Sequence, residues 1–205
     1  MSLKAWIAPQ TGSICPPLGA YPGKDALLAD LAEGLAGLTP PRAIVIGALG
    51  RVGTGAADLC EAMGMRVTKW DMAETADGGP FPEILENDIF LNCIFARPGT
   101  PVFVPRAALD QPRALTVIGD VACDPDSDYN PVPVYDRATT WDAPVLRVHD
   151  APPMDVMAID NLPSMLPVES SQDCAAQLLP SLLTLSYLDS GVWARAKAEF
   201  DKHVG

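Results

Sequence analysis

The stretch that decides the fold is AIVIGALGRVGTG, residues 43–55, where an apolar run breaks into glycines three residues apart and then into a helix-forming segment. The apolar run is typical of a buried parallel strand. Glycine is needed where a tight turn or a ligand leaves no room for a side chain, and N–H groups at a helix start bind phosphates. Gly47, Gly50 and Gly53 therefore predict a dinucleotide pyrophosphate site. Their G-x-x-G-x-x-G spacing differs from the commoner G-x-G-x-x-G, and a purely structural turn is the alternative.

A carboxylate about 20 residues further along supports the dinucleotide site. Residues 66–71 read RVTKWD, a short second strand that ends in the carboxylate of Asp71. An acid at this place binds ribose hydroxyls and repels the 2′-phosphate of NADP, so it favours NAD. No arginine follows Asp71 immediately to neutralise its charge. A surface aspartate at a strand end is the alternative interpretation.

Composition limits the classes of protein to consider. The 205 residues are 48% hydrophobic and 20% charged, as in a compact soluble domain. A formal net charge of −12 without any basic cluster excludes a nucleic-acid groove. No apolar run has the length of a membrane span and no signal peptide is recognisable, which predicts a cytoplasmic protein. Five scattered cysteines and two histidines predict reduced thiols and no metal site.

Alternating strand and helix patterns predict an α/β fold, a Rossmann-type doubly wound parallel sheet with extra C-terminal helices. Helical periodicity extends over residues 24–38, 51–63, 168–187 and 192–203. Strands are expected at residues 42–46, 66–71, 88–94 and 114–121, with short ones at 132–135 and 145–148.

The same patterns divide the chain into four segments. Residues 1–3 are interpreted as an expression remnant, and residues 4–40 as a helical and loop segment that leads from a missing substrate domain. Residues 41–165 are expected to form the NAD-binding domain, and residues 166–205 the C-terminal helices. Separation from a partner domain would expose an apolar cleft and helix faces, so a homodimer of the fragment is also expected.

Six blocks of sequence are distinctive as a set. They are IGALGRVG at 46–53, KWD at 69–71, GGPF at 78–81, IFLNCI at 89–94, NPVPVY at 130–135 and IDNLPS at 159–164, the last with LLPSL at 178–182 behind it. Together they resemble the lysine-forming saccharopine dehydrogenases, which are related to alanine dehydrogenases. Only the later part of that longer family is matched. The resemblance implies an enzyme that oxidises saccharopine with NAD and hydrolyses the imine to lysine and 2-oxoglutarate.

The resemblance also implies which residues bind the cofactor. Gly50 and Arg51 would contact the pyrophosphate, and Asp71 would hold the adenosine ribose beside Thr75. Phe95 would line the cleft. The full set that the motif and the resemblance assign to NAD is Gly47, Gly50, Arg51, Gly53, Asp71, Thr75, Phe95, Val121, Ile159, Asp160, Asn161 and Leu162.

Ala122, Cys123 and Asp124 match a family segment that faces the substrate. Asp160 is the supporting catalytic candidate, because a carboxylate beside the nicotinamide stabilises cationic groups such as an amine or iminium. A helix N-cap or a turn residue is the alternative for Asp160. The family's catalytic lysine and histidine lie in the earlier domain and are absent from this chain, so the fragment alone is expected to be inactive.

Two departures from the family pattern bear on the substrate. Asn161 stands where the family has histidine, and Val168 where it has arginine, which removes a carboxylate anchor. A related opine or amino-acid dehydrogenase with another substrate is therefore one alternative, and a noncatalytic NAD-binding regulatory module is another. The expected partners are a small-molecule substrate and the missing N-terminal domain of the same protein, but neither nucleic acid nor a membrane.

Overall fold

The structure of the chain, a computed structural model, describes residues 1–204 and divides into two compact units. The first unit contains residues 1–19 and 25–162, and the second contains residues 20–24 and 163–204. Gly205, the last residue of the predicted C-terminal segment, lies outside the described residues.

The first unit is built on one six-stranded sheet. Its strands are β1 (Arg42–Ile46), β2 (Arg66–Trp70), β3 (Ile89–Asn92), β4 (Val117–Asp120), β5 (Leu146–Asp150) and β6 (Pro153–Met157). Their order is β2-β1-β3-β4-β6-β5, and every neighbouring pair is parallel except β5 with β6. The order reverses between β1 and β3, where a doubly wound sheet binds its ligands. The predicted Rossmann-type fold is confirmed.

Both faces of the central strands β1, β3 and β4 are buried. Ile44, Phe90 and Ile118 are in register and fully buried on one face, where they pack with residues of the connecting loops. Gly119 points to the other face, where a Cβ would collide with Ser2. Side chains alternate along a strand, so the apolar runs with almost no polar residue reflect burial on both faces. The helices of this unit are α1 (Ser2–Gln10), α2 (Lys24–Gly34), α3 (Arg51–Ala62), α4 (Met72–Thr75) and α5 (Pro82–Leu85).

Two segments differ from the sequence predictions. The predicted strand at 132–135 is not a strand, although Val132 and Val134 are buried in the core. Pro131 and Pro133 flank these residues and have no N–H to donate to a neighbouring strand. Conversely, β6 was not predicted, because a single Asp155 and the flanking prolines hide its apolar character.

The N-terminal residues belong to a helix. Ser2 and Leu3 lie in α1 and are each only 4% exposed. Their interpretation as an expression remnant stays a prediction, since burial does not tell where a residue comes from. The contacts of α1 are with β3, β4 and β6.

The second unit contains the two predicted C-terminal helices, α6 (Pro167–Leu182) and α7 (Gly191–Val204). Residues 20–24 join it through Tyr21, whose amide donates to the carbonyl of Met165 at 2.8 Å, and Lys24, whose amide donates to Glu169 at 2.5 Å. Neither helix contains a buried side chain within the described residues. Among residues 1–204, no helix has both the length and the apolar character that a membrane crossing requires.

Candidate functional site

The turn between β1 and α3 lies between the carboxyl ends of two other strands. The amides of Gly47 and Ala48 both donate to the carbonyl of Trp70 at the end of β2, each at 2.9 Å. Gly47 has a φ of +87°, and a Cβ on it would lie 2.7 Å from the carbonyl oxygen of Cys93, just after β3. Both the backbone conformation and the lack of space therefore require glycine here.

Helix α3 begins directly against this turn. A Cβ on Gly53 would lie 2.6 Å from the carbonyl carbon of Gly47 and 2.8 Å from the Cα of Ala48. The N-cap residue of α3 is Gly50, which has no side chain that could cap the helix. The first turn of α3, which begins with Arg51, contains no acidic residue. The partial positive charge at a helix start stabilises a bound anion. The start of α3 is thus suited to a phosphate group.

Asp71 connects this turn to the end of β2. Its Oδ2 accepts a hydrogen bond from the amide of Leu49, and its Oδ1 accepts one from the amide of Met72, both at 2.9 Å. The Glu74 carboxylate accepts from the amide of Asp71 at 2.7 Å, which completes a capping box at the start of α4. Thr75 donates its hydroxyl to the carbonyl of Asp71 at 3.1 Å. The sequence prediction did not include this capping role, although the D-x-x-E pattern of residues 71–74 signals it.

Three backbone bonds do not saturate the Asp71 carboxylate. Besides the amides of Leu49 and Met72, the amide of Glu74 donates to it in the capping box, so one of its about four lone-pair positions is left for a further hydrogen bond, for example from a hydroxyl of a sugar. Asp71 is half-buried at the wall of a cavity. It can therefore stabilise the glycine turn and bind a ligand at the same time.

The cavity has a volume of about 690 Å³ and opens at the carboxyl ends of β1 and β3. This size is within the usual range for small-molecule and cofactor sites, and the position is the one where the strand order reverses. Apolar side chains, including Ile46 and Ile94, form much of its wall. The predicted cofactor residues that line it are Gly47, Gly50, Asp71, Thr75 and Phe95.

One wall of the cavity was missed at the level of sequence. Residues 97–100 read RPGT and form a reverse turn, in which the Thr100 amide donates to the Arg97 carbonyl at 2.9 Å and the Thr100 hydroxyl accepts from the Arg97 amide at 3.0 Å. Arg97 is exposed and adds a positive charge to this wall of the cavity, opposite in sign to the charge of Asp71. The Pro98-Gly99 pair, which begins four residues after the predicted strand end at residue 94, was the available signal.

The other predicted cofactor residues lie outside this cavity wall. Arg51 and Gly53 belong to α3, Val121 follows β4, and residues 159–162 follow β6. Because β3, β4 and β6 are parallel neighbours, Val121 and residues 159–162 lie along the same carboxyl edge of the sheet as the cavity. Their roles stay predictions.

The three predicted substrate residues form the turn after β4. Cys123 has a φ of +49°, the only non-glycine residue among the described ones with a left-handed backbone. Its thiol donates to the carbonyl of Ala158 at 3.2 Å, which connects this turn to the residues after β6. Ala122 is half-buried and Asp124 is exposed. The turn therefore presents a carboxylate to the solvent at the carboxyl edge of the sheet.

A buried polar cluster beneath that turn was not predicted. Asp120 is 1% exposed, and its carboxylate accepts from the Tyr135 hydroxyl at 2.8 Å and the Asn92 amide at 2.9 Å. Burial raises the pKa of the Asp120 carboxyl, although its hydrogen bonds oppose this. Burial and the Asp120 carboxylate raise the pKa of Tyr135, so its phenol stays protonated and donates. The signal available in the sequence was an aspartate that ends an apolar strand.

The thiols near the site are not activated. Burial raises the pKa of Cys93 to about 12, and burial also raises the pKa of Cys123. Only a thiolate is an effective nucleophile or metal ligand. Among residues 1–204, no group of histidine, cysteine and carboxylate side chains could hold a metal ion.

Asp160 and its neighbour differ in their surroundings. Both Asp160 and Asn161 are exposed. Asn161 accepts a hydrogen bond from the indole N–H of Trp141 at 2.7 Å, so its side-chain oxygen has a structural partner. Asp160 is open to solvent at the carboxyl edge of the sheet, and its catalytic role stays a prediction.

Comparison with known proteins adds an independent finding. No protein-family model matches the chain. The saccharopine dehydrogenase (NAD(+), L-lysine-forming) of Neurospora crassa is 46% identical over 202 positions, which cover 92% of this chain and 54% of that protein. Proteins of the same name from Candida albicans and Yarrowia lipolytica are 44% and 43% identical over 94% and 100% of this chain, and 54% and 59% of their own lengths are covered. The resemblance noted in the sequence is confirmed, and the chain spans about half the length of these relatives.

Proposed function

We propose, from the homology of this chain to the saccharopine dehydrogenases (NAD(+), L-lysine-forming), that it is the NAD-binding part of an oxidoreductase of that type. The overall reaction would be that of saccharopine, NAD and water to lysine, 2-oxoglutarate and NADH. Because the chain spans about half of its relatives, the other half would supply the principal acid and base residues. The isolated chain would then bind the cofactor without catalysing the reaction.

The observation that supports this function most strongly is the cavity at the strand-order reversal, with Asp71 and the glycine turn in its wall. Glycines at 47 and 53 leave no space for a Cβ, and the start of α3 has no acid of its own. These features fit a pyrophosphate that is bound by backbone amides. The remaining acceptor position on Asp71 fits a hydroxyl of an adenosine ribose.

The residues of this chain would bind and orient the cofactor rather than react with it. When bound, NAD would accept a hydride from the carbon of the substrate C–N bond. Phe95, which is 85% exposed at the cavity, would pack against the cofactor and keep water from it. Asp160 would stabilise the positive charge of the substrate amine from the same edge of the sheet.

Asn161 bears on the identity of the amine substrate. Its side-chain oxygen already accepts from Trp141, and an amide cannot become cationic as the family's histidine can. A related opine-type or amino-acid substrate would follow if the longer protein oxidised NADH with 2-oxoglutarate and an amine other than lysine. An absence of any amine-dependent rate, with NADH still bound, would instead favour a noncatalytic regulatory module.

The first experiment is a calorimetric titration of the chain with NADH and with NADPH. Wild type is expected to bind NADH and to bind NADPH at least about tenfold more weakly, a difference of about 1.4 kcal/mol. Asp71→Asn should remove most of that difference, because it removes the charge that repels a 2′-phosphate. Asp77→Asn is the matched control, since Asp77 is an exposed neighbour that does not line the cavity. Failure of wild type to bind either cofactor would contradict the proposed site.

A further inference from the structure

The buried carboxylate of Asp120 has an unusual set of partners. It ends β4 and is 1% exposed, and it accepts four hydrogen bonds. Oδ1 accepts from the side-chain amide of Asn92 at 2.9 Å and from the backbone amides of Ala122 and Cys123 at 3.1 and 3.4 Å. Oδ2 accepts from the Tyr135 hydroxyl at 2.8 Å. All four donors are neutral groups.

Burying a carboxylate in this way contributes unfavourably to the free energy of folding. Burying a carboxylate removes it from water, and apolar residues of similar volume are often at least as stabilising as a buried charged group. Asp120 lies on the same face of the sheet as Ile118 and Ile46, where the rest of the core is almost entirely apolar. The charged acceptor at position 120 therefore has a structural effect other than filling space in the core.

That effect is on the conformation of the turn at residues 122–124. The amides of Ala122 and Cys123 point back to Oδ1, so one oxygen orients two successive peptide groups. Cys123 has a left-handed backbone with φ +49°, which a residue with a side chain adopts only when its surroundings hold it there. Hydrogen bonds to a charged acceptor are about twice as strong as those between neutral groups. Tyr135 and Asn92 in turn hold the carboxylate in one orientation.

We propose that Asp120 is a positioning residue, which Tyr135 and Asn92 orient and which sets the conformation of the substrate-facing turn at residues 122–124. The substrate-facing role of the turn rests on the proposed function, whereas its dependence on Asp120 does not. Asp120 itself is too buried to touch a substrate. It acts through Ala122 and Cys123, which it binds directly.

The cysteines of the chain allow a direct test of this positioning. Cys123 is half-buried with its thiol on the carbonyl of Ala158, Cys174 is exposed, and Cys60 is buried in the core. The alkylation rate of each thiol with iodoacetamide, measured by peptide mass spectrometry on the full 205-residue chain, reports on three different environments. Cys123 reports on the turn, Cys60 on global unfolding, and Cys174 on the reagent itself.

Two variants change the cluster to different degrees. Asp120→Asn keeps the shape but replaces the charged acceptor by a neutral one, and Tyr135→Phe removes only the bond to Oδ2. The matched control is Asp155→Asn, because Asp155 is also buried but pairs with Val117 at the opposite end of β4 and binds Arg147. It therefore disturbs a buried aspartate of the same sheet without touching the turn.

In Asp120→Asn, the alkylation of Cys123 is expected to accelerate at least tenfold relative to Cys60, with a smaller acceleration in Tyr135→Phe and none in Asp155→Asn. Equal acceleration of Cys60 and Cys123 in both cluster variants, or no change at Cys123, would overturn the proposal. In the longer protein, Asp120→Asn should raise the KM for the amine substrate at least tenfold and leave the KM for NAD within threefold. If the alkylation rates change as expected but the chain binds no NADH, the proposed function is contradicted and the positioning role of Asp120 is retained.

Discussion

Replacing Gly53 by alanine should displace the start of α3 and weaken both the fold and cofactor binding. A Cβ at this position would lie 2.6 Å from the carbonyl carbon of Gly47, whereas ordinary contacts begin at 3.4 Å. The carbonyl oxygen of Gly47 would lie closer still, so the helix must move by more than 3.4 − 2.6 = 0.8 Å relative to the turn. Both partners are backbone atoms in a buried region, so no side-chain rotation can absorb this displacement.

The expected magnitude follows from two opposing effects. Alanine stabilises a helix by about 0.8 to 1 kcal/mol relative to glycine. Overpacking of a tightly packed site costs about 1–3 kcal/mol, and a collision between two backbones belongs at or above the upper end. We expect a net loss of about 2 kcal/mol, which for an m-value of about 2 kcal/mol/M lowers the urea midpoint by about 1 M.

Gly55→Ala is the matched control for the same substitution in the same helix. Gly55 is exposed, and a Cβ on it would meet nothing within 4 Å. The helix-propensity gain should appear alone, as an increase of about 0.5–1 kcal/mol in the free energy of unfolding. Urea denaturation monitored by circular dichroism measures both variants.

The same pair of variants tests cofactor binding. Displacement of the helix start by more than 0.8 Å moves the amides that are proposed to bind the pyrophosphate. Loss of one hydrogen bond to a charged group costs about 1.5–3 kcal/mol, so NADH should bind Gly53→Ala at least tenfold more weakly, whereas Gly55→Ala should bind like wild type. Equal urea midpoints and equal NADH affinities for the two variants would refute the reasoning from close packing.

Three further predictions concern other parts of the chain. Cys123→Gly should be more stable than Cys123→Ala by about 0.5–1 kcal/mol in urea denaturation, because both lose the thiol contact but only alanine keeps the left-handed strain at φ +49°; the reverse order would contradict this. Burial raises the pKa of Asp120 from its ordinary 3.8, so folding holds its proton more tightly. The wild-type free energy of unfolding should therefore fall relative to Asp120→Asn as the pH rises from about 4 through the raised pKa, by up to about 1.4 kcal/mol per pH unit; a difference that is independent of pH would exclude this. Leu183 and Phe200 are 74% and 62% exposed, and if they form part of a homodimer interface, Leu183→Glu with Phe200→Glu should make the chain monomeric in light scattering; a wild type that is already monomeric at high concentration would refute the dimer.

Local sequence was sufficient to predict the strand, the glycine turn and the helix start at the proposed cofactor site. The apolar run before Gly47, the glycine spacing and the acid at position 71 each act within a few residues, because a strand, a turn and a helix start are local structures. The parallel arrangement followed from their alternation. The segment at residues 131–135 and the short apolar strand β6 were harder to predict. Tertiary contacts rather than local pattern decide whether such segments pair with a sheet.

The candidate site was only partly predictable. Asp71 was predicted to bind ribose, a role that stays a prediction, whereas its bond to the Leu49 amide depends on where the glycine turn lies in space. The wall formed by residues 97–100 has a recognisable turn, yet nothing in the sequence assigns it to the same cavity as Asp71. Asp120 and Tyr135 are 15 residues apart, and their hydrogen bond is visible only in the folded chain.

The sequence by itself determined the class of fold, the glycine turn with its acid, and the relationship to saccharopine dehydrogenases, because these depend on residue types at fixed short spacings. Only the tertiary structure decided that Asp71 caps a helix while it faces the cavity, and that a buried carboxylate at Asp120 holds the turn beside it. The physical reason is that hydrogen bonds between distant segments, unlike helical or strand periodicity, require the register of parallel strands to bring their carboxyl ends together.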